Sequence, residues 1–285
     1  MLAELHCHSN KSHGEIIHHE GLSSVTQLIE HAVKLNIEVL AITDHDEIES
    51  SLKAVKLAKQ INSNVLIIPG IEVSSADGHI LVLGIEEKIP AGLSAEETIE
   101  KARSLGAVTI APHPFDIKNE GIKEKAKLCN AMESFNALNI DRISNFVAKG
   151  FAEKYSINAV CGSDAHSAFM MGYCLNEIRA SKDIDSVLKA LKKGNTHIFR
   201  KNYIPIDVLQ TWSVDRLKKS EDYVMDYMDE NYRYPKRVVG KRAVKLVHRS
   251  PGNIDYFFDF LTYLGLTLAI PYSAIINLPK MRYLL

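Results

Sequence analysis

Short apolar runs alternate with amphipathic stretches over the first two hundred residues. The runs cover residues 2–8, 39–46, 65–74, 79–85, 107–114, 131–137 and 159–166. Between them, residues 23–36, 51–62, 94–106 and 141–151 carry apolar residues at helical spacing. Strands that alternate with helices predict parallel βα units. The runs are near-continuously apolar, as in strands covered on both faces. About seven such units predict a closed or nearly closed barrel more than an open sheet. Ser23 or Ser24 is placed to cap the first helix, and Ser94 with Glu97 fits a capping box at the start of 94–106.

The pattern changes near residue 195. Residues 201–285 hold 13 Lys and Arg against 9 Asp and Glu, a net of +4, whereas the first 200 hold 21 against 26, a net of −5. The basic residues concentrate in Lys236, Arg237, Lys241, Arg242, Lys245 and Arg249, followed by an apolar segment at 256–278 whose one charge is Asp259. Two regions are therefore predicted: a barrel at 1–200 and a helical extension at 201–285 that packs on it. In the apolar helix Asp255 and Asp259 are expected on the exposed face, with Phe257, Phe258 and Leu261 turned inward. Packing or an oligomer interface is the expected use of this segment. A membrane span or peripheral membrane contact remains a lesser alternative.

Composition narrows the class. With 46% hydrophobic and 24% charged residues the chain is neither disordered nor fibrous. A formal net charge of −1 gives no global sign of nucleic-acid binding. Four scattered cysteines form no CxxC pair, which predicts a reducing compartment. The N-terminus lacks the basic and apolar regions of a signal peptide, so a cytoplasmic protein is expected. No P-loop and no GxGxxG occurs, and Ser163 lacks a GxSxG elbow.

Histidine is the outlier: 10 of 12 precede residue 167. Metal-type residues fall at the ends of the predicted strands, where the active sites of α/β folds lie. His6 and His8 share one strand face by the period of two, while Cys7 points the other way. Asp44, His45 and Asp46 end the second strand and Glu72 the third. His79 opens the next run. His113 lies between Pro112 and Pro114, and Asp164 and His166 end the seventh strand. Each pair has an ordinary reading as a hydrogen-bonded or surface group. Their recurrence at nearly every strand end is what points to metal ligation.

The ordered motifs HCHS, TDHD, PGIEVS, GHILVLGI, APHP and GSDAH resemble the polymerase and histidinol phosphatase (PHP) superfamily of metal-dependent phosphoesterases. The resemblance spans about residues 1–200. It implies a distorted (β/α)7 barrel holding two or three divalent ions of zinc, manganese or iron. It implies His6, His8, Glu72 and Asp164 at a first metal, and Glu72 bridging to a second held by His79 and His113. His45 and His166 would hold a third, with a further ligand from the loop after His8. Many relatives carry Ser-Asp-Gly there. Ser12-His13-Gly14 stands in its place, so His13 is the favoured ligand, with His18, His19 and Glu20 as competitors. His18, His19 and His31 otherwise read as surface positions. Asp44 is expected to support a ligand rather than bind metal, and Asn136 to face substrate or simply to form a turn.

Such a cluster lowers the pKa of bound water from about 15.7 to about 7, so a hydroxide bridging two ions could attack phosphorus. Glu72, Asp164 and His166 are the residues expected to carry catalysis. His45 or His166 could act as a general acid only if free of metal. The expected activity is hydrolysis of a phosphomonoester or phosphodiester of a small metabolite or nucleotide. A nuclease and a non-catalytic metal-binding scaffold are the alternatives. Nucleic acid, a membrane surface and a second copy of the chain remain open as partners.

Overall fold

A computed structural model describes residues 1–14 and 16–283. All seven apolar runs form strands: β1 (Leu2–Cys7), β2 (Val39–Ile42), β3 (Leu66–Ser75), β4 (Gly78–Leu83), β5 (Val108–Ala111), β6 (Ala131–Asn136) and β7 (Ala159–Gly162). Two more, β8 (Cys174–Ile178) and β9 (Thr196–Lys201), complete one sheet in the order β7-β6-β5-β4-β3-β2-β1-β8-β9. The barrel helices are α1 (Val25–Lys34), α2 (Glu49–Gln60), α3 (Ala95–Ser104), α4 (Ile143–Lys154) and α5 (Ile184–Lys193). Ser24 caps α1 and Ser94 caps α3, each in a full capping box with Gln27 and Glu97.

The sheet is mixed rather than wholly parallel. β4 runs antiparallel to both β3 and β5, because only two residues separate it from β3 and no crossover helix fits. The two ends of the sheet curl towards each other. Cys7 of β1 bridges to Ala165, and the Asn176 side chain bonds both the N–H and the C=O of Cys161 at 2.9 and 2.7 Å. That amide satisfies strand groups that have no neighbouring strand, and the barrel is nearly closed. Leu5, Ile68, Leu81, Ile110 and Val160 join Val187 and Leu191 of α5 in one apolar cluster fed by β1 to β8. One helix in contact with that cluster seals one end of the barrel. The polar residues gather at the other, where the parallel strands end.

After β9 come α6 (Ile206–Lys219), α7 (Glu221–Asn231), α8 (Lys236–Lys245) and α9 (Asp255–Asn277). Leu209 and Trp212 of α6 enter the apolar core beside α1. Ser273 of α9 donates to Asp141 at 2.6 Å, and Tyr283 packs on Phe115 and Phe151. The orientation of α9 reverses the expectation. Phe257 and Leu261 are 45% and 44% exposed and only Phe258 is half-buried, whereas Asp255 and Asp259 border a cleft against α6. Asp255 gains from this placement, because the Gln210 amide donates to its carbonyl and the Gly252 N–H to its side chain. Ser273 and Asn277 are buried, while Phe260, Leu264, Leu268 and Ile275 face outward. The helical stretch Asp255–Met281 is long and apolar enough to cross a membrane by length and composition.

Candidate metal centre

The strand ends bring eight of the nine sequence-derived candidates into one buried cluster. Glu72 is at its centre, fully buried in the second half of β3. Its Oε1 lies 3.0 Å from His79 Nδ1 and 3.2 Å from His113 Nε2. Its Oε2 lies 3.1 Å from His6 Nε2, 3.3 Å from His8 Nε2 and 3.6 Å from His45 Nδ1. One carboxylate thus faces two groups of imidazoles with separate oxygens. Asp164 Oδ1 stands 3.5 Å from His6 Nε2 and 3.4 Å from His8 Nε2, and 3.6 Å from His166 Nδ1. Four sets of three donor atoms are close enough to share a cation: His6–His8–Glu72, His6–His113–Asp164, His45–Glu72–His79 and His8–His45–His166.

Hydrogen bonding on the far side of the rings fixes which nitrogen faces the cluster. His6 Nδ1–H donates to Glu133 Oε1 at 2.9 Å, and His166 Nδ1–H donates to the Asp164 carbonyl at 2.8 Å. Each bond leaves the Nε2 lone pair pointing into the cluster, the tautomer a metal ligand needs. His8 Nδ1 meets Ser12 Oγ at 3.1 Å. The buried His166 Nε2 has no hydrogen-bond partner, and His79 Nδ1, although 3.0 Å from Glu72 Oε1, makes no aligned hydrogen bond. Buried nitrogens without partners are costly in an apolar core, and a divalent cation answers them directly. The donor set therefore fits metal ions.

Backbone strain accompanies this geometry. His113 and Asp164 have φ of 28° and 53°, and Asp46 has 50°. Non-glycine residues in this region are uncommon and cluster at functional sites.

The ninth candidate, His13, lies elsewhere. It stacks on His18 at 4.2 Å, and His18 stacks in turn on Tyr223 of α7 at 4.1 Å. Glu20 occupies the expected position, with its oxygens 3.5 Å from His45 Nε2 and 3.6 Å from His166 Nε2. The loop turns back at the bridge between His13 and His19, which carries Glu20 inward and leaves His13 at the rim of the cavity. Burial would push the Glu20 carboxyl up. The imidazoles of His166, His45 and His8 and the Arg216 guanidinium instead bring it to about 2. His18 and His19 pair with Tyr223, and His31 lies in the last turn of α1.

Asp44 does not touch the ligating atoms. It accepts from the Ser9 N–H and hydroxyl, each at 2.5 Å, and from Ser50, fastening the loop after β1 to the start of α2. Asn136 donates to Glu133 at 2.8 Å and to Asp164 at 3.2 Å, so its amide orients two carboxylates. Cys7 points away, its thiol on the Ala41 carbonyl. Ser163 bonds buried Glu4.

Sequence reading passed over Glu133. It is 1% exposed, holds His6, and accepts from the His113 N–H at 2.9 Å. A lone acid inside the run AMESFNA was the available signal, since a buried charge must be paired.

Burial, reinforced by the neighbouring His8 charge and opposed by nearby carboxylates, lowers His45 and His166 to about 4 and about 3, so both imidazoles are neutral. Burial also acts on His8 and His113. Against it, Asp164 and Glu72 at His8, and Glu72 at His113, lift each to about 9.

Residues 142–196 match a family model described as PHP-associated. An uncharacterized protein of Methanocaldococcus jannaschii is 36% identical over 154 residues, covering 52% of this chain and 89% of that protein. The chain belongs to the PHP superfamily. Two other relatives have named activities. A phosphoribosyl 1,2-cyclic phosphate 1,2-diphosphodiesterase of Eggerthella lenta is 35% identical over 97 residues, 32% of this chain and 34% of that one. A 5'-3' exoribonuclease of Haemophilus influenzae is 30% identical over 139 residues, 47% of this chain and 44% of that one. This PHP chain thus spans less than half of either. Among solved structures, a two-domain protein of Bacteroides vulgatus described as containing a predicted PHP-like metal-dependent phosphoesterase matches with a TM-score of 0.58. That match has 16% identity over 75% of this PHP chain and 69% of that chain, and it concerns the fold.

Proposed function

We propose that this protein hydrolyses a phosphomonoester or phosphodiester of a small metabolite or nucleotide, using two or three divalent ions of zinc, manganese or iron. The observation that carries the reading is the division of Glu72. One oxygen faces His79 and His113, and the other faces His6, His8 and His45. In this reading His6, His8, Glu72 and Asp164 hold one ion, Glu72, His79 and His113 a second, and His45, His166 and Glu20 a third. Bound ions would supply Lewis acidity and a lowered water pKa.

The chain's own groups prepare that chemistry. Glu133 and the Asp164 carbonyl hold His6 and His166 in the ligating tautomer. Asn136 keeps Asp164 turned inward. The roof of the site carries Lys118 and Arg216, two cations for the remaining phosphate oxygens. The full donor set disfavours an inert scaffold. Free, buried cysteines suit the cytoplasmic setting that is part of the proposal.

A nuclease reading has two supports: the exoribonuclease relative and the basic residues of α8. The net charge of −5 in the first 200 residues opposes an extended anionic strand there. Phosphomonoesters, phosphodiesters and short oligonucleotides assayed with manganese, zinc and iron separate these readings. Turnover of small esters above oligonucleotides is expected. Oligonucleotide cleavage alone would establish the nuclease, and no hydrolysis with a metal-loaded protein would sink both. The outward face of α9 leaves membrane contact or self-association as further proposals, read by sedimentation with and without anionic vesicles.

A further inference from the structure

We propose that the substrate carries an aliphatic group, which enters an apolar pocket between α6 and α9 while its phosphate lies on the metal centre. This inference rests on the phosphoester reading above and names its substrate class. The polar cavity over the cluster is about 860 Å³, and a second cavity of about 400 Å³ opens beside it. The two are continuous, since His113, Lys118, Asp164 and Arg216 line both. The second cavity lies within the range of roughly 300–1,000 Å³ usual for small-ligand sites.

Its walls change character away from the metals. Ile17, Leu138, Ile140, Leu209, Leu217 and Leu266 supply apolar surface from the rim loops and from α6 and α9. The cations stand at the junction, so a phosphate there leaves the ester's organic group facing the apolar half. Asp116 accepts from the N–H groups of Lys118, Glu120 and Gly121, and Glu120 pairs with Lys118. Asp141 holds Ser144 and Ser273 with Oδ1, and its Oδ2 is the one buried oxygen of these acids without a hydrogen-bond partner.

Trp212 decides against a nucleobase. Its ring carries the Arg216 guanidinium at 4.4 Å and has the His166 ring at 5.0 Å. Its indole N–H is spent on the Glu20 carbonyl at 3.0 Å. It braces the site and offers no free stacking platform. Gly265, in contrast, leaves space: a Cβ built there meets nothing within 4 Å.

The test is calorimetric titration of the manganese-loaded full chain with ethyl-, butyl-, hexyl- and octylphosphonate. Affinity should rise by roughly three- to fourfold per buried methylene until the pocket is full. Gly265→Leu fills the pocket from α9, and the octyl-to-ethyl ratio should fall towards one. Ala269→Phe does the same from the next turn, should the first variant fail to fold. A flat wild-type series with ethylphosphonate bound would overturn the pocket and leave the phosphoester reading standing. A chain-length rise that survives both substitutions would also overturn it, as would adenosine monophosphate binding more tightly than octylphosphonate. No binding of any phosphonate removes the phosphoester reading, and this inference with it.

Discussion

Helices α1, α3 and α5 of the barrel differ from α6 to α9 both at their ends and on their faces. Side chains of Ser24, Ser94 and Asp183 cap the first three, and Gly194 ends α5 in the left-handed conformation. None of α6 to α9 has a side-chain N-cap. Barrel helices bury their apolar residues, as Leu28 and Ile29 of α1 do. The basic α8 buries nothing, and α9 buries Ser273 and Asn277. The barrel helices are specified by their own sequences. Of the later helices, α6 and α9 are held by a few apolar side chains together with long-range polar contacts: Trp212 on Glu20 beside the candidate metal centre, Ser273 on Asp141 and Asn277 on the Phe115 carbonyl. Disturbing the barrel should therefore cost chemistry, and disturbing the tail should cost shape around it.

The largest effect is expected at Glu72, where the donor groups meet. Glu72→Gln keeps the volume but removes the charge shared by five imidazoles. Turnover should fall by more than about a hundredfold, since even outer-shell losses cost about 10–100-fold. Elemental analysis should show fewer ions per chain, while circular dichroism stays unchanged. Asp164→Ala and His113→Ala should likewise abolish hydrolysis without unfolding. Near wild-type turnover with full metal content would remove that residue from the centre. Glu133→Gln, which loosens His6, should cost about 10–100-fold in metal affinity.

The barrel and eight cluster residues were legible because each follows from a local rule. Apolar runs gave strands, and residues near the strand ends gave the candidate ligands. Three features were not legible. Glu20 rather than His13 reaches the cluster because of a loop reversal, which spacing along the chain does not encode. β4 runs antiparallel because of a two-residue connection. α9 is inverted because Asp141 and Phe115, far away in sequence, offer partners for Ser273 and Asn277, and helical periodicity cannot tell which face finds them.

Next in size is removal of the tail. Ending the chain after residue 201 uncovers the core contact of Leu209 and Trp212 and frees the Glu20 loop. Losing a buried aromatic costs about 3–5 kcal/mol, a large share of a typical total of about 5–15 kcal/mol. The shortened protein should be poorly soluble, with a lowered Tm. A soluble, equally heat-stable barrel would show the tail to be a detachable module.

The acid–base behaviour of the metal-free protein is confined to the barrel. Despite burial, carboxylates hold His8 and His113 at about 9, and His6 is raised too. Folded pKa values above the unfolded one stabilise the apo protein below about 6.5, and that contribution is lost as pH rises through about 9. Metal must displace the same protons. Uptake at pH 7 should release about two or three per chain, and affinity should climb as pH approaches 9. Calorimetry in buffers of different ionisation enthalpy reads the number. His45 and His166, at about 4 and about 3, should contribute none.

The smallest effects distinguish the two faces of α9. Leu268 and Ile275 are 61% and 70% exposed, so Leu268→Gln and Ile275→Gln remove little buried area. Each should change stability by no more than about 0.5 kcal/mol and improve solubility. Ser273→Ala removes one oxygen, yet that hydroxyl is buried and donates to Asp141 at 2.6 Å. The Asp141 oxygen keeps its two bonds from Ser144, so the loss is one buried hydrogen bond to a carboxylate, about 1.5–3 kcal/mol, and the conservative change should be the more damaging one. Thermal denaturation of the three variants gives the order. If Leu268→Gln is the worst of them, that face of the helix is covered in solution, and a second copy of the chain would then have to be sought on it by measuring how Tm depends on protein concentration.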